Sequence, residues 1–174
     1  ISLLAPKGSS ALERGFLEPF VKRLYGDVPE LHYARDVMDQ KLPANVKVSE
    51  FFFKAGSFLD NTDQQRNYVC TNYTHAVRDL LAQGINVVFQ MVAPPGEPGG
   101  PVSLSCNPDL TLDLLPRLRQ QQAAGQKVAV VGEINRNLPW LGHHAAVPVT
   151  DFDLLLDQAG TDHPLFPVPQ QSIS

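Results

Sequence analysis

The chain has 174 residues, of which 43% are hydrophobic and 18% are charged, and its formal net charge at neutral pH is −4. This balance excludes wholesale disorder, and an acidic chain without a basic stripe argues against nucleic acid as a partner. No apolar run approaches the roughly 20 residues that span a bilayer, and the opening apolar residues 1–5 are too few for a signal-peptide core. We therefore expect a cytoplasmic protein that does not contact a membrane.

Residues 1–34 suggest one strand, one helix and a second, weaker strand. Residues 2–5 predict a short strand, and Ser10 with Glu13 forms a capping box before a helix. The intervening loop at Gly8 is expected to be a tight turn, with an anion site at the helix N-terminus as the alternative. Residues 30–34 alternate weakly and predict another strand. The apolar face of the helix consists of Leu12, Phe16, Phe20 and Leu24.

Residues 35–63 have a weaker pattern. We expect residues 35–46 to be irregular and residues 60–63 to form a turn. The aromatic patch of residues 51–53 with Phe58 is interpreted as core, with a pocket wall as the alternative.

From residue 67 onward the chain alternates between strand and helix signals. Residues 67–71 predict a strand, and Asn72 or Thr74 is expected to cap a helix that Gly84 ends. Residues 85–93 predict a second strand. Strand, helix and strand at this short spacing predict parallel pairing with right-handed crossovers. The inward face of the helix would carry Val77, Leu80 and Leu81.

The next stretch predicts one more unit of the same kind. The Pro- and Gly-rich residues 93–101 form a surface loop directly after a strand, which places them at the functional edge of a sheet. Residues 102–106 look extended, and Asn107 with Pro108 predicts a helix start. Gly125 then breaks the helix before the next strand. The buried stripe of the helix would be Leu110, Leu114, Leu115 and Leu118.

After the strand that follows Gly125 the signals weaken. Residues 145–149 predict an edge strand, because Pro148 cannot donate to a central ladder. Residues 151–157 predict a short helix or turn. We expect residues 1–160 to form one α/β domain and residues 161–174 to be a Pro-rich linker.

Neither a metal site nor a tightly bound cofactor is predicted. Cys70 and Cys106 lack the C-x-x-C spacing of zinc and redox sites, and we expect both to be buried free thiols. His143 and His144 are adjacent and therefore point in different directions, which disfavours shared metal ligation. The chain has no dinucleotide or P-loop fingerprint and no G-x-S-x-G nucleophile elbow.

The strongest candidate site follows the apolar, β-branched residues 127–132. This run predicts a strand buried on both faces of a parallel sheet, and its carboxyl end turns polar with Glu133, Asn135 and Asn137. Ligands of open α/β sheets bind at that end of the strands. Glu133 could be a nucleophile, but pairing with Arg136 or with a helix N-terminus is the favoured interpretation.

Four segments carry a resemblance to a known family. They occur in order along the chain and are residues 67–79, the loop from Ala93 to Ser105, Glu-Ile-Asn-Arg-Asn-Leu-Pro at 133–139 and Val-Thr-Asp-Phe-Asp at 149–153. This series resembles the N-terminal half of the acetyl-CoA hydrolase/CoA-transferase family, which includes 4-hydroxybutyrate and acetate CoA-transferases.

The resemblance implies a CoA-transferase-like, Rossmann-like α/β domain with a mainly parallel, twisted sheet flanked by helices. It implies a second such domain in the same polypeptide, acyl-CoA and carboxylates as substrates, and it allows a homodimer. Coenzyme A would be a substrate and not a bound cofactor. Acyl transfer in that family passes through a glutamyl-CoA thioester, whose nucleophilic Glu would lie C-terminal to Ser174, so that residues 1–174 alone would be inactive.

The candidate substrate-binding residues share a position near predicted strand ends or helix starts, and they are Asn72, Ser103, Ser105, Asn135 and Asn137. Two other functions stay open. One is a non-catalytic module of the same fold that binds a small ligand, and the other is an enzyme similar to sugar-phosphate isomerases.

Overall fold

The computed structural model describes residues 19–20, 23, 32–51, 58–106, 108, 110–158, 160 and 162–165. These residues fall into two compact units, which meet in sequence between Cys70 and Thr71. The strand predicted at residues 2–5, the Gly8 loop and the capping box of Ser10 and Glu13 lie outside the described residues. The boundary predicted between a domain over 1–160 and a linker over 161–174 stays a prediction.

In the first unit, the described residues include two short helices, α1 (His32–Met38) and α2 (Thr62–Arg66). The strand predicted over 30–34 is wrong, because His32 begins a helix whose Val37 is buried. Five weakly alternating residues are too few to outweigh the helix-forming Ala34, Arg35 and Met38. Residues 35–46 are irregular, as predicted, only after α1 ends.

Two more predictions in this unit need correction. The turn predicted over 60–63 is displaced, since residues 58–60 form a turn and Asn61 caps α2 by accepting a hydrogen bond from the Gln64 N–H at 3.0 Å. The strand predicted over 67–71 is reduced to one parallel bridge between Glu50 and Tyr68. Among the described residues, only Tyr68 of this segment pairs with another strand-like residue. Phe58 is buried, as the core interpretation expects, whereas Phe52 and Phe53 lie outside the described residues.

Glu50 ties the elements of the first unit together. It accepts hydrogen bonds from the Tyr33 hydroxyl at 2.8 Å and from the Gln64 carboxamide at 3.4 Å. Burial and this carboxylate raise the pKa of Tyr33 to about 12. The Tyr33 phenol therefore remains a hydrogen-bond donor at neutral pH.

The described residues of the second unit form two helices, two 3-10 turns and five strands. The helices are α3 (Tyr73–Ala82) and α4 (Thr111–Ala123), and the 3-10 turns are His143–Ala145 and Val149–Asp151. The strands are β1 (Val87–Val92), β2 (Val102–Ser103), β3 (Ala129–Ile134), β4 (Ala146–Val147) and β5 (Leu154–Leu156).

A parallel three-stranded sheet in the order β1-β3-β5 forms the centre of this unit. The predicted α/β class with a mainly parallel sheet flanked by helices is confirmed. The helix or turn predicted over 151–157 is wrong, because Leu154–Leu156 is a strand. Three consecutive leucines carry no strand period, and it is pairing with β3 that sets their conformation.

The main core lies on one face of this sheet. Leu114, Leu115 and Leu118 of α4 are buried against it, which confirms three residues of the predicted stripe, whereas Leu110 is the half-buried N-cap residue. The opposite face is more open among the described residues, and Phe89 on β1 is 74% exposed. β1 is therefore not buried on both faces. Around α4 and Ile134 the core consists of Val92, Val102, Leu104, Val130, Val147 and Phe152.

The helix ends follow the predicted chemistry in part. Asn72 is the N-cap residue of α3, but its side chain makes no capping hydrogen bond. Gly84 after the helix end has a φ of 75°, which glycine adopts without strain. Gly125 ends α4 in the same way. However, α4 begins at Thr111, later than Pro108 predicted, and Asn107 lies outside the described residues.

The predicted burial of both cysteines is wrong. Cys70 and Cys106 are free and exposed. Cys70 lies in the connection before α3, and Cys106 follows Ser105, whose positive φ of 56° directs the chain outward. In the described part of the chain, no helix is long and apolar enough to cross a membrane.

The starts of β3 and β5 are joined by the Asp153 carboxylate. It accepts hydrogen bonds from the Val130 N–H at 2.7 Å and from the Arg119 guanidinium at 3.0 Å. The bond from Val130, and then Arg119, hold the pKa of Asp153 below its usual value. The ionised carboxylate therefore stabilises the fold above about pH 4, and this contribution is lost as pH falls through the lowered pKa.

We expect Asp153→Asn to lower the free energy of unfolding at pH 7, and we expect the difference from wild type to shrink towards pH 3. Urea unfolding at both pH values measures this. Asp113→Asn on the exposed side of α4 is the matched control. An Asp153→Asn difference that stays constant with pH would contradict the assignment.

Candidate functional site

The carboxyl edge of the parallel sheet brings two predicted site segments to adjacent strand ends. Beyond β3, the Asn135 N–H donates to the Val92 carbonyl at 2.9 Å, so the ladder with β1 continues for one more residue. Beyond β1, Ala93 and Ser103 exchange two backbone hydrogen bonds of 2.8 and 3.2 Å. This pair closes the Pro- and Gly-rich loop, which lies after a strand as predicted.

Ser103 and Ser105 are buried and bind backbone. The Ser103 hydroxyl donates to the Leu141 carbonyl at 2.7 Å and accepts from the Leu141 N–H at 3.0 Å. The Ser105 hydroxyl donates to the Pro139 carbonyl at 2.8 Å. The two serines therefore fix the segment that follows the polar end of β3.

Asn135 and Asn137 converge on one atom. Both side-chain amides donate to the carbonyl oxygen of His163 at 3.0 Å. The Asn135 carboxamide oxygen also accepts from the Asn137 N–H at 3.0 Å, and its nitrogen lies 3.1 Å from the Met91 sulfur. Asn135 is fully buried and Asn137 is exposed, so only Asn137 presents its carboxamide to solvent.

Arg136 lies between the two asparagines and binds Asp162, the residue before His163. Its N–H donates to the Asp162 carboxylate at 2.7 Å, and its guanidinium pairs with Asp157 and Asp162. These carboxylates, Asp157 first, raise the pKa of Arg136 above its usual value. We use "the edge clamp" for residues 135–137 together with Asp162 and His163.

The interpretation that pairs Glu133 with Arg136 or a helix N-terminus is wrong. Arg136 lies in the turn after β3, and its guanidinium pairs with Asp157 and Asp162 and not with Glu133. Instead, Glu133 Oε1 lies 3.3 Å from the Nε2 atom of His163. His163 and Asp162 could not be predicted from the sequence, because they lie in the predicted linker, 26 or more residues from their partners.

Asn72 occupies a different position from the other four candidates. It is exposed at the start of α3, and its carboxamide oxygen accepts from the Thr74 hydroxyl. None of the described hydrogen bonds joins it to the serines or to the edge clamp. In the described part of the chain, no group of three His, Cys, Asp or Glu side chains is arranged to hold a metal ion.

Several solved structures are similar to this chain. The crystal structure of RipA from Yersinia pestis aligns over 71% of this chain and 28% of its own, with a TM-score of 0.50 and 22% identity. A point mutant of RipA aligns over 61% of this chain and 22% of its own, with a TM-score of 0.45 and 26% identity. A 4-hydroxybutyrate CoA-transferase from Porphyromonas gingivalis aligns over 67% of this chain and 28% of its own, with a TM-score of 0.38 and 21% identity.

The likeness to RipA concerns the fold, in agreement with the α/β class described above. The chain spans less than a third of the length of each of these proteins. No family profile and no curated protein sequence matches it.

Proposed function

We propose that this chain is the N-terminal part of an acyl-CoA hydrolase or CoA-transferase that acts on short-chain carboxylates. The carrying observation is the exposed Asn137 carboxamide at the carboxyl edge of a parallel sheet, which donates to the His163 carbonyl while Asn135 accepts from the Asn137 backbone N–H. A carboxamide nitrogen has two N–H donors. Among the described contacts Asn137 uses one of them, which leaves the other for a ligand.

An N–H donor fixed in this way suits thioester chemistry. Acyl transfer develops negative charge on the thioester oxygen, and a donor held in place beforehand stabilises that charge without reorganising. In this proposal Asn137 contacts the substrate carbonyl. The edge itself is held by the backbone contacts of Asn135, Ser103 and Ser105. Asn72 would contact another part of the substrate at the start of α3.

The rest of the proposal follows the family resemblance. The nucleophilic Glu would lie C-terminal to Ser174 on a second domain, reached through a linker over 161–174. Acyl-CoA and a carboxylate would be the substrates in the cytoplasm, without a tightly bound cofactor, and two copies of the protein would form a homodimer. The four ordered motifs and the α/β fold support this assignment.

The test is an assay of the full-length protein with acetyl-CoA and a panel of short carboxylates. We expect CoA transfer, hydrolysis or both, together with calorimetric binding of acyl-CoA. Binding without turnover would favour the non-catalytic module, and the absence of both binding and turnover would overturn the proposal. Isomerisation of a sugar phosphate in place of either reaction would support the third function.

A further inference from the structure

We propose that Glu133 and His163 form a dyad that activates water, so that the carboxyl edge of this domain carries a thioester-hydrolysing site of its own. The inference rests on the proposed function, because the thioester is its substrate. It assigns a direct hydrolytic route to this chain, separate from transfer through the Glu expected on the second domain.

The two side chains have the geometry of an oriented base. The Nε2 atom of His163 lies 3.3 Å from Glu133 Oε1. When Nε2–H donates to this carboxylate, the lone pair of the neutral ring is on Nδ1, which is free to accept a proton. The side chains are 56% and 41% exposed, so water reaches both.

Exposed ion pairs ordinarily contribute little, because two mobile side chains must be ordered to form them. Here the edge clamp holds the histidine backbone. The His163 carbonyl accepts from Asn135 and Asn137, and the preceding Asp162 is bound by Arg136. These three hydrogen bonds therefore fix the segment that carries the imidazole, and much of the ordering is done before a substrate arrives.

The strand register gives Glu133 apolar neighbours. Met91 on β1 and Leu156 on β5 are its partners across the sheet. Adjacent strands lie about 4.8 Å apart, so these side chains flank the carboxylate on both sides. An acyl chain could contact this apolar row while its thioester carbonyl reaches the imidazole and the second N–H of Asn137.

The step balances without another reactant. His163 Nδ1 takes a proton from water as the water oxygen forms a bond to the thioester carbon. The carbon–sulfur bond then breaks, and the imidazolium returns its proton to the leaving CoA sulfur. The products are the carboxylic acid and free CoA. Glu133 orients the ring and stabilises the imidazolium, as a carboxylate does in other histidine-based sites.

The experiment separates the two routes by comparing hydrolysis with transfer in each variant and by following an oxygen isotope into the product acid. Full-length wild type, His163→Gln and Glu133→Gln are assayed for hydrolysis of acetyl-CoA and for CoA transfer to a carboxylate. His144→Gln, an exposed histidine outside the dyad, is the matched control. We expect hydrolysis to fall about 10²-fold in His163→Gln, the size of a general-base effect, with transfer changed less than about twofold.

A single turnover in ¹⁸O-labelled water identifies the oxygen donor. Direct attack puts the label into the product acid in the first turnover. Reaction through the glutamyl-CoA thioester gives an unlabelled acid, because CoA displaces the acid from the acyl-glutamyl anhydride and the acid leaves with an oxygen of the enzyme carboxylate.

Each outcome decides a different point. Unlabelled acid, or full hydrolysis by His163→Gln while transfer persists, overturns the dyad and leaves the proposed function standing. Equal loss of transfer and hydrolysis in the variant also overturns it, because His163 would then only shape the cleft. If wild type neither transfers nor hydrolyses, the proposed function itself fails.

Discussion

Replacing Gly132 by alanine is expected to lower the free energy of unfolding by about 1–3 kcal/mol, the usual range for overpacking a filled core. A Cβ atom on Gly132 would lie 2.5 Å from Leu155 Cδ2 and 2.9 Å from Phe152 Cδ1. The leucine methyl can rotate away, but the Phe152 ring is rigid and buried. β3 and β5 must therefore shift apart. Urea unfolding of wild type and variant measures the difference.

Gly96→Ala is the matched control for this change. Gly96 lies in the exposed loop after β1, and a Cβ atom there would meet nothing within 4 Å. Its unfolding free energy should stay within about 0.5 kcal/mol of wild type, as for ordinary surface substitutions. Equal losses in the two variants would show that the contact with Phe152 is not the cause.

The elements that could be predicted are those with a local signal. The leucine stripe of α4 repeats at helical spacing, and Gly84 and Gly125 mark the two helix ends where the backbone needs a positive φ. The strand at Ala129–Ile134 is a short β-branched run that ends in polar residues. In each of these cases the local preference and the packed structure favour the same conformation.

The errors arose where distant contacts decide. Leu154–Leu156 has no strand period and becomes a strand because β3 offers it hydrogen bonds. Residues 67–71 have a strand pattern but only the single bridge from Tyr68 to Glu50. β-structure depends on its partners more than helix does, so these segments could not be assigned from their own residues.

The position of Asn135 and Asn137 could be predicted, but not their contacts. The carboxyl end of a buried strand is visible in the sequence, and Asn135 and Asn137 indeed lie there. Their common partner, the His163 carbonyl, is a backbone atom of a segment assigned to the linker. Because any residue has a carbonyl, no sequence pattern could have identified that contact.

Replacing Asn137 by alanine in the full-length enzyme is expected to reduce kcat for CoA transfer by about 10²–10³-fold, the usual loss on removing one oxyanion donor. The physical reason is that the second N–H of this carboxamide would stabilise the thioester oxygen as it becomes negative. Asn137 is exposed, so the fold should tolerate the change. Steady-state transfer kinetics give kcat and KM separately, and the loss should appear in kcat.

Two companion variants make this result specific. Asn137→Asp keeps the shape and removes the donor, so it should lose as much activity as alanine. Asn86→Ala, an exposed asparagine just before β1 and therefore at the opposite edge of the sheet, should keep full activity. Full activity in both Asn137 variants would remove this carboxamide from the site. A loss in alanine alone would point to packing, because aspartate preserves the shape without the N–H.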